Sequence, residues 1–296
     1  MIKFAETVLN GLAMGSVYAL IALGFVVIFK ASGVMNFAHG SLLLFGGYVV
    51  ARLHDGIGFI PAVLVGATLA AALAGLVQLL AARGLRGAEV HTLTILTIGV
   101  DVLLNTELNR RVGADYLTMG DPWGAEVMRF GGITVADARI AGIAVAVAVI
   151  GAFFAAFRWS RWGLSMRAAA ADPEAAPLMG IRLERVRLIA WCVAGALAAV
   201  AAVFLAAFPA PGLDRTTGQI ALTAFPAAIL GGMDSAVGAL VGSLVIGLTT
   251  AMAAGYQGQL SALGSGIPDV APYLVMVLVL LVRPNGLFGS KELTRV

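Results

Sequence analysis

The side chains in this chain that could do chemistry fall into three short polar stretches set within apolar sequence. The first, Gly33-Val34-Met35-Asn36-Phe37-Ala38-His39-Gly40-Ser41, follows an apolar run over residues 8–29 with little between them. Reading residues 35–47 as helix puts Asn36, His39, Gly40, Leu43 and Gly47 on one narrow, polar face. The second spans residues 90–108, where His91, Thr94, Asp101 and Asn105 recur at helical spacing with Thr97 beside the stripe. The third is Gly231-Gly232-Met233-Asp234-Ser235, which interrupts another apolar run. Interrupted segments at membrane depth persist where their freed backbone groups are buried in protein or line a watery cavity, and in transporters they mark the solute path. Asn36, His39, Ser41, Asp101, Asn105 and Asp234 are therefore the expected conduit residues. For Asp101 a structural role weighs as much as a functional one, and the threonines and Asn105 serve equally well as polar glue between helices.

Other chemistry lacks its residues. Lysine occurs only at Lys3, Lys30 and Lys291, none in a Gly-x-x-x-x-Gly-Lys-Ser/Thr loop, so no nucleotide triphosphate can be cradled in that way. His39, His54 and His91 lack metal-ligand spacing, and Cys192 is the single cysteine, so neither a metal nor another cofactor is expected. No Gly-x-Ser-x-Gly elbow occurs; an intramembrane hydrolase built on His39 and a distant serine is the enzymatic reading left over. Uphill movement of a solute would then draw on an ion gradient, with Asp101 and His39 as a proton relay, or on a separate polypeptide.

The elements that must position these residues are membrane spans. Of 296 residues 60% are hydrophobic and 12% charged, with mean hydropathy +0.96, where a soluble domain carries about a quarter charged residues. The expected fold is an all-α polytopic membrane protein, one transmembrane domain over residues 1–296, some of its helices interrupted. Spans are expected over 8–29, an interrupted second ending near Arg52, 59–82, 90–108, 140–157, 188–208, 236–254 and 271–282. Residues 220–235 either cross or turn back, giving eight or nine crossings. The net charge of +3 comes from arginines between apolar runs and follows topology, so nucleic acid is not an expected partner. Arg83, Arg86, the basic segment 158–187 and the tail with Arg283, Lys291 and Arg295 place those loops and the C-terminus in the cytoplasm, with the N-terminus outside. Residues 109–139, of mixed charge and with six Gly or Pro positions, read as an extracytoplasmic loop with a short hairpin over 127–135. Gly11, Gly15 and Ser16 in the first span have the spacing that lets helices approach closely.

Within 158–187, Asp172-Pro173-Glu174 is a helix start, with Asp as cap, Pro in the first turn and Glu at the positive end of the dipole. Gly180 is its stop. A helix over 173–179 outside the bilayer would offer Leu178 and Met179 to a partner. An internal repeat is also suggested: residues 33–42 and 231–240 share five of ten positions, Asn36 pairing with Asp234.

Taken in order, Gly15-Ser16-Val17-Tyr18-Ala19-Leu20-Ile21-Ala22-Leu23-Gly24, Gly33 to Gly40 as quoted above, and Gly46-Gly47-Tyr48 resemble the N-terminal signature of permease subunits of branched-chain amino acid ABC importers, the first of that system's two membrane subunits. Arg167-Ala168-Ala169-Ala170 with Asp172, Leu178-Met179-Gly180-Ile181, Ile229 to Met233 and Arg283-Pro284-Asn285-Gly286-Leu287-Phe288-Gly289 are similar to later landmarks. Pro177 departs from the pattern and puts the length of the short helix in question. The resemblance implies a bacterial inner-membrane importer of a second related permease, two cytoplasmic ATPase subunits and a periplasmic substrate-binding protein. Arg167, Asp172, Pro173, Glu174, Leu178, Met179 and Gly180 would then belong to the segment that docks on an ATPase. The loops 109–139, near Leu213 and near Gln257 would receive the binding protein. Branched-chain or other small amino acids are the implied cargo, with urea or short amides as the alternative.

Overall fold

The computed structural model describes residues 2–84, 89–114, 116–123, 126–130, 132–207, 212–259 and 266–289. Arg86, Lys291 and Arg295, named above for the topology, lie outside them. Among the described residues the regular structure is helical apart from one hairpin. Its elements are α1 (Ile2–Ser32), α2 (His39–Ile57), α3 (Phe59–Gly84), α4 (Val90–Val112), β1 (Val127–Phe130), β2 (Ile133–Ala136), α5 (Asp137–Trp159), α6 (Arg161–Ala171), α7 (Ala175–Leu178), α8 (Leu183–Ala207), α9 (Thr217–Thr223), α10 (Phe225–Gly231), α11 (Ala236–Gly255) and α12 (Ile267–Val282). Among the described residues, α1, α3, α5, α8 and α11 are long and apolar enough to cross a membrane, and 217–231 and α12 are shorter apolar helices. The chain is thus an all-α polytopic membrane protein.

Helix α1 is the axis. Every residue from Val17 to Ile28 is buried, because α11, α8, α5 and α10 all pack on it. Small residues make the closest of these contacts. A methyl group added at Gly11 would lie 2.8 Å from the Leu248 Cα, one at Gly15 would lie 3.0 Å from the Leu244 Cα, and one at Gly247 would run into the Gly15 backbone. This is the close approach that the spacing of Gly11 and Gly15 implied. On the other side, α8 packs between α1, α2 and α3. Gly195 of α8 rests on the Ala70 carbonyl, where a Cβ would come to 2.5 Å.

Several boundaries differ from the sequence reading. Helix α2 starts at His39, not at Met35, since residues 33–38 are held as coil, and it continues through 53–57 where a polar connection was expected. Helix α4 continues to Val112, so the loop starts at Gly113; the charges of Glu107, Arg110 and Arg111 pair along the helix instead of ending it. The hairpin is present, pairing Val127 with Ala136 through Phe130 with Ile133. The run 220–230 is two helices, α9 and α10, meeting at Ala224 where Pro226 follows. In the basic segment, residues 161–171 form a helix of their own, capped by the Ser160 hydroxyl accepting from the Gly163 amide at 3.0 Å. The expected helix over 173–179 contracts to the single turn α7, because Pro177 has no amide to extend it.

The chain turns group at two ends. At one lie the start of α1, whose Glu6 accepts from the Thr134 amide of the hairpin at 3.0 Å, the 116–123 loop and residues 212–216. At the other lie the end of α1, α6, α7 and the residues after α12, whose Leu287 and Phe288 amides donate to the Leu230 and Gly231 carbonyls.

Candidate functional site

The α1–α2 break is buried and held by a network of hydrogen bonds. Gly33 takes φ +69°, a left-handed conformation that suits glycine, and turns the chain from α1 back into the bundle. Val34, Asn36, Ala38, His39 and Ser41 are all buried. Irregular backbone at this depth must have its polar groups satisfied by protein. Thr97 of α4 does this: its hydroxyl accepts from the Phe37 amide at 3.0 Å and lies 3.3 Å from the Met35 carbonyl, while also bonding the Thr94 carbonyl at 2.7 Å. Thr97 is 1% exposed on a helix otherwise open along most of its length. Its neighbours on the polar stripe drew more notice in the sequence, and only the position of a coil from a distant segment reveals its task.

Asn36 closes the break locally, its Oδ1 accepting from the Ala38 amide at 3.1 Å, while its Nδ2 is buried without a hydrogen bond. Ser41 donates to the Ala38 carbonyl at 3.0 Å. His39 is fully buried, its ring 4.5 Å from that of Phe25 and close against Gly24, where a Cβ would lie 2.5 Å from the imidazole Cε1. Neither imidazole nitrogen makes a hydrogen bond of regular geometry. Phe225 of α10 packs on both Phe25 and Phe37, so the break in the first half touches the bent helix pair of the second. Gly40 and Gly218 meet backbone to backbone, a Cβ on Gly40 falling 2.5 Å from the Gly218 carbonyl. Asn36, His39 and Ser41 are thus brought together, but sealed from solvent within the chain.

The other expected path residues stand apart from them. Asp101 and Asn105 are half-buried on α4, one and two turns beyond Thr97. Asp234 lies in the second break, at the α6–α7 end, where its backbone carbonyl accepts from Lys30 Nζ at 3.0 Å. Both stretches are breaks preceding a helix, but their positive-φ glycines are out of register: Gly33 pairs with Gly231, whereas Gly232 is the residue with positive φ in the second break. The caps differ: Ser235 accepts from the Gly238 amide, whereas Asn36 accepts from Ala38. Among the described residues no three of His, Cys, Asp or Glu gather where they could hold a metal ion.

At the α6–α7 end, Asp172 Oδ1 accepts from the Glu174 and Ala175 amides at 3.0 and 2.9 Å, the capping its position implied. Gly180, at φ +80°, ends the turn. Of residues 171–180 only Ala176 is buried, and Leu178 and Met179 are 87% and 81% exposed. Two large apolar side chains at the tip of a capped turn are costly unless something covers them. Arg167 sits behind the turn on α6 and donates to the carbonyls of Phe157 and Arg158.

At the opposite end, loops far apart in sequence are stitched together. Leu117 and Leu213 exchange backbone hydrogen bonds of 2.9 and 2.8 Å. Trp123 stacks on Phe204 and meets Phe59 edge-on, both at 5.4 Å, and Met119 is buried between helix ends. Asp214 caps the start of α9 by accepting from the amides and hydroxyls of Thr216 and Thr217. Burial pushes its carboxyl upward, but these bonds outweigh that and hold it below the usual carboxylate range.

The geometry is that of a bundle with two internal breaks, a sealed polar kernel and an exposed apolar turn at one end. The family described as the branched-chain amino acid transport system permease component matches residues 7–282. The chain belongs to that family. Among its relatives, the high-affinity branched-chain amino acid transport system permease protein LivH of Salmonella typhimurium is 32% identical, covering 99% of this chain and 98% of its own. The permease protein BraD of Pseudomonas aeruginosa is 29% identical over 99% and 98%. The ribose import permease protein RbsC of Escherichia coli strain K12 matches at 27% over 80% and 74%, so the likeness extends to a permease named for a sugar. No solved structure matches. These relatives are transport permeases and not enzymes, and the break, the capped turn and the stitched loops are features of a member of this permease family.

Proposed function

We propose that the chain is one of two related permease subunits of an ATP-driven ABC importer in the bacterial inner membrane, moving branched-chain or other small amino acids. The observation that carries this reading is the match to branched-chain amino acid permeases over nearly the full length of both partners. Energy comes from two separate ATPase subunits, and the solute arrives on a periplasmic binding protein. The α6–α7 end is cytoplasmic, with α7 docking in an ATPase groove through Leu178 and Met179; the C-terminus lies on that side. Residues 113–136, with 212–216, form the receiving surface outside. Counting α9 and α10 as one bent crossing gives nine crossings, α1, α2, α3, α4, α5, α8, α9–α10, α11 and α12, an odd number that suits an outside N-terminus and an inside C-terminus. The whole chain acts as one transmembrane domain, the two breaks being corresponding parts of an internal repeat.

Transport follows as alternating access. Asn36, His39 and Ser41 form the closed wall of the path; when α2 shifts against α1, the unpaired Nδ2 of Asn36 and the imidazole of His39 meet the passing solute. Asp101 and Asn105, along α4 beyond Thr97, and Asp234 in the second break supply further polar groups.

The test is uptake by the complete importer in vesicles. Wild type should accumulate leucine only with ATP and binding protein, and the permease alone should accumulate nothing. Replacing both Leu178→Asp and Met179→Asp should cut uptake at least tenfold while the purified chain melts as wild type does, since both side chains are exposed. Accumulation by the permease alone, or wild-type uptake by the double variant, would defeat the reading.

A further inference from the structure

Lys30 lies in the last turn of α1 at the α6–α7 end and has so far no role in the transport reading. Its ammonium group bonds the Asp234 carbonyl in the second break at 3.0 Å and stands 5.9 Å from the centre of the Phe157 ring. The guanidinium of Arg167, on α6, stands 5.3 Å from the same ring and bonds the carbonyl ends of α5. One aromatic ring thus carries two cations, one from the segment next to the exposed turn and one from the element that leads into the first break and grips the second.

The ring itself cannot drift. Phe153 stacks on it at 5.8 Å and Trp162 meets it edge-on at 6.2 Å, and the Trp162 indole donates to the Val186 carbonyl of α8 at 3.3 Å. Gly163 lets α6 press directly on the Phe157 carbonyl, where a side chain would collide. Helix α6 packs on α5, α1 and α8. A cavity of about 730 Å³ opens beside this cluster, lined by Lys30, Arg167, Arg187 and Asp234 among others, so the cations have room to swing when α6 moves.

We propose that Lys30 is a positioning residue of the transport cycle: through Phe157 it takes up the displacement of α6 and delivers it to both breaks, pulling on Asp234 in one and on the α1 end of the other. Lys30 touches no solute and no nucleotide, and its job is to keep hydrolysis and opening in step. The proposal rests on the importer reading above. Cations suit this task because a charge within about 6 Å of a ring centroid, over its face, is held there by the ring quadrupole, so each cation is drawn to the same ring.

The experiment measures leucine taken up per ATP hydrolysed by the complete importer in vesicles, for wild type, Lys30→Met, Lys30→Arg, Phe157→Leu and the Lys30→Met/Phe157→Leu pair. Lys30→Met and Phe157→Leu should each lower the uptake-to-hydrolysis ratio at least fivefold with hydrolysis within twofold of wild type. Lys30→Arg should restore at least half of the ratio, and the pair should be no worse than either single change, as expected of two parts of one route. A ratio within twofold of wild type in Lys30→Met, or equal loss of uptake and hydrolysis, overturns the proposal. Should Lys30→Met fail to assemble, Phe157→Leu decides by the same ratio. Failure of the importer reading would show itself separately, as absence of ATP-dependent leucine uptake in wild type.

Discussion

Thr97→Val isolates the requirement on which the first break stands. Valine keeps the shape of threonine and removes only the hydroxyl, so the packing of a residue that is 1% exposed is nearly unchanged. What is lost is the acceptor for the Phe37 amide, at 3.0 Å, and the donor shared between the Met35 and Thr94 carbonyls. A backbone donor left unpaired away from water costs about 1–3 kcal/mol. Thr94 belongs to the same helix, so its carbonyl keeps a partner in the helix ladder, and the expected loss is about 2 kcal/mol, roughly a thirtyfold fall in the folded-to-unfolded ratio. Thr106→Val is the matched control: its hydroxyl only bonds back to the Val102 carbonyl one turn earlier on an exposed face, and its loss should stay within about 0.5 kcal/mol. Reversible unfolding of the purified chain in bicelles, followed by tryptophan fluorescence, measures both. Equal stability of the two variants would refute the claim that α4 supports the break through this hydroxyl.

Two further outcomes test other parts of the fold. Gly247→Ala should destabilise the chain by about 1–3 kcal/mol, because its methyl group has nowhere to go but the Gly15 backbone of α1; the same unfolding assay checks it. Asp214 has a carboxyl held below its ordinary value in the folded chain, so its stabilising contribution is fully present above the ordinary carboxylate range and drains away as pH falls through the lower, folded value. The difference in melting temperature between wild type and Asp214→Asn should therefore be largest near neutral pH and shrink below about pH 4, and a difference that does not vary with pH would remove the assigned cause.

Five long apolar helices and both breaks were legible in the sequence because they depend on local composition: apolar runs long enough to cross, and glycines with Asn36, His39 or Asp234 where a helix should have continued. The capped turn was legible as well, since Asp172, Pro173 and Gly180 act on their immediate neighbours. What escaped depends on partners brought from afar. Residues 35–38 have helical spacing, yet Gly33 and the hydroxyl of Thr97, sixty positions on from Phe37, hold them as coil. The polar face expected at Asn36 and His39 is enclosed because Gly24, Phe25 and Phe225 close over it, and periodicity records only that residues share a face, not what covers it. Residues 161–171 were read as part of a charged loop because their arginines masked a helix whose signal is the Ser160 cap and the small residues that follow. The match of Leu117 with Leu213 leaves no trace in either segment alone.

That last pairing constrains how the molecule can deform. Two short backbone bonds tie Leu117, in the loop after α4, to Leu213, just before α9, so those parts cannot slide past one another without breaking both. Were the α6–α7 end pushed as proposed, the chain would pivot about this seam. Helix α8, with 25 residues, is a lever of about 37 Å. Tilting it by roughly 10° about the fastened end would carry the other end through about 6 Å, more than one helical turn, while the seam stays still.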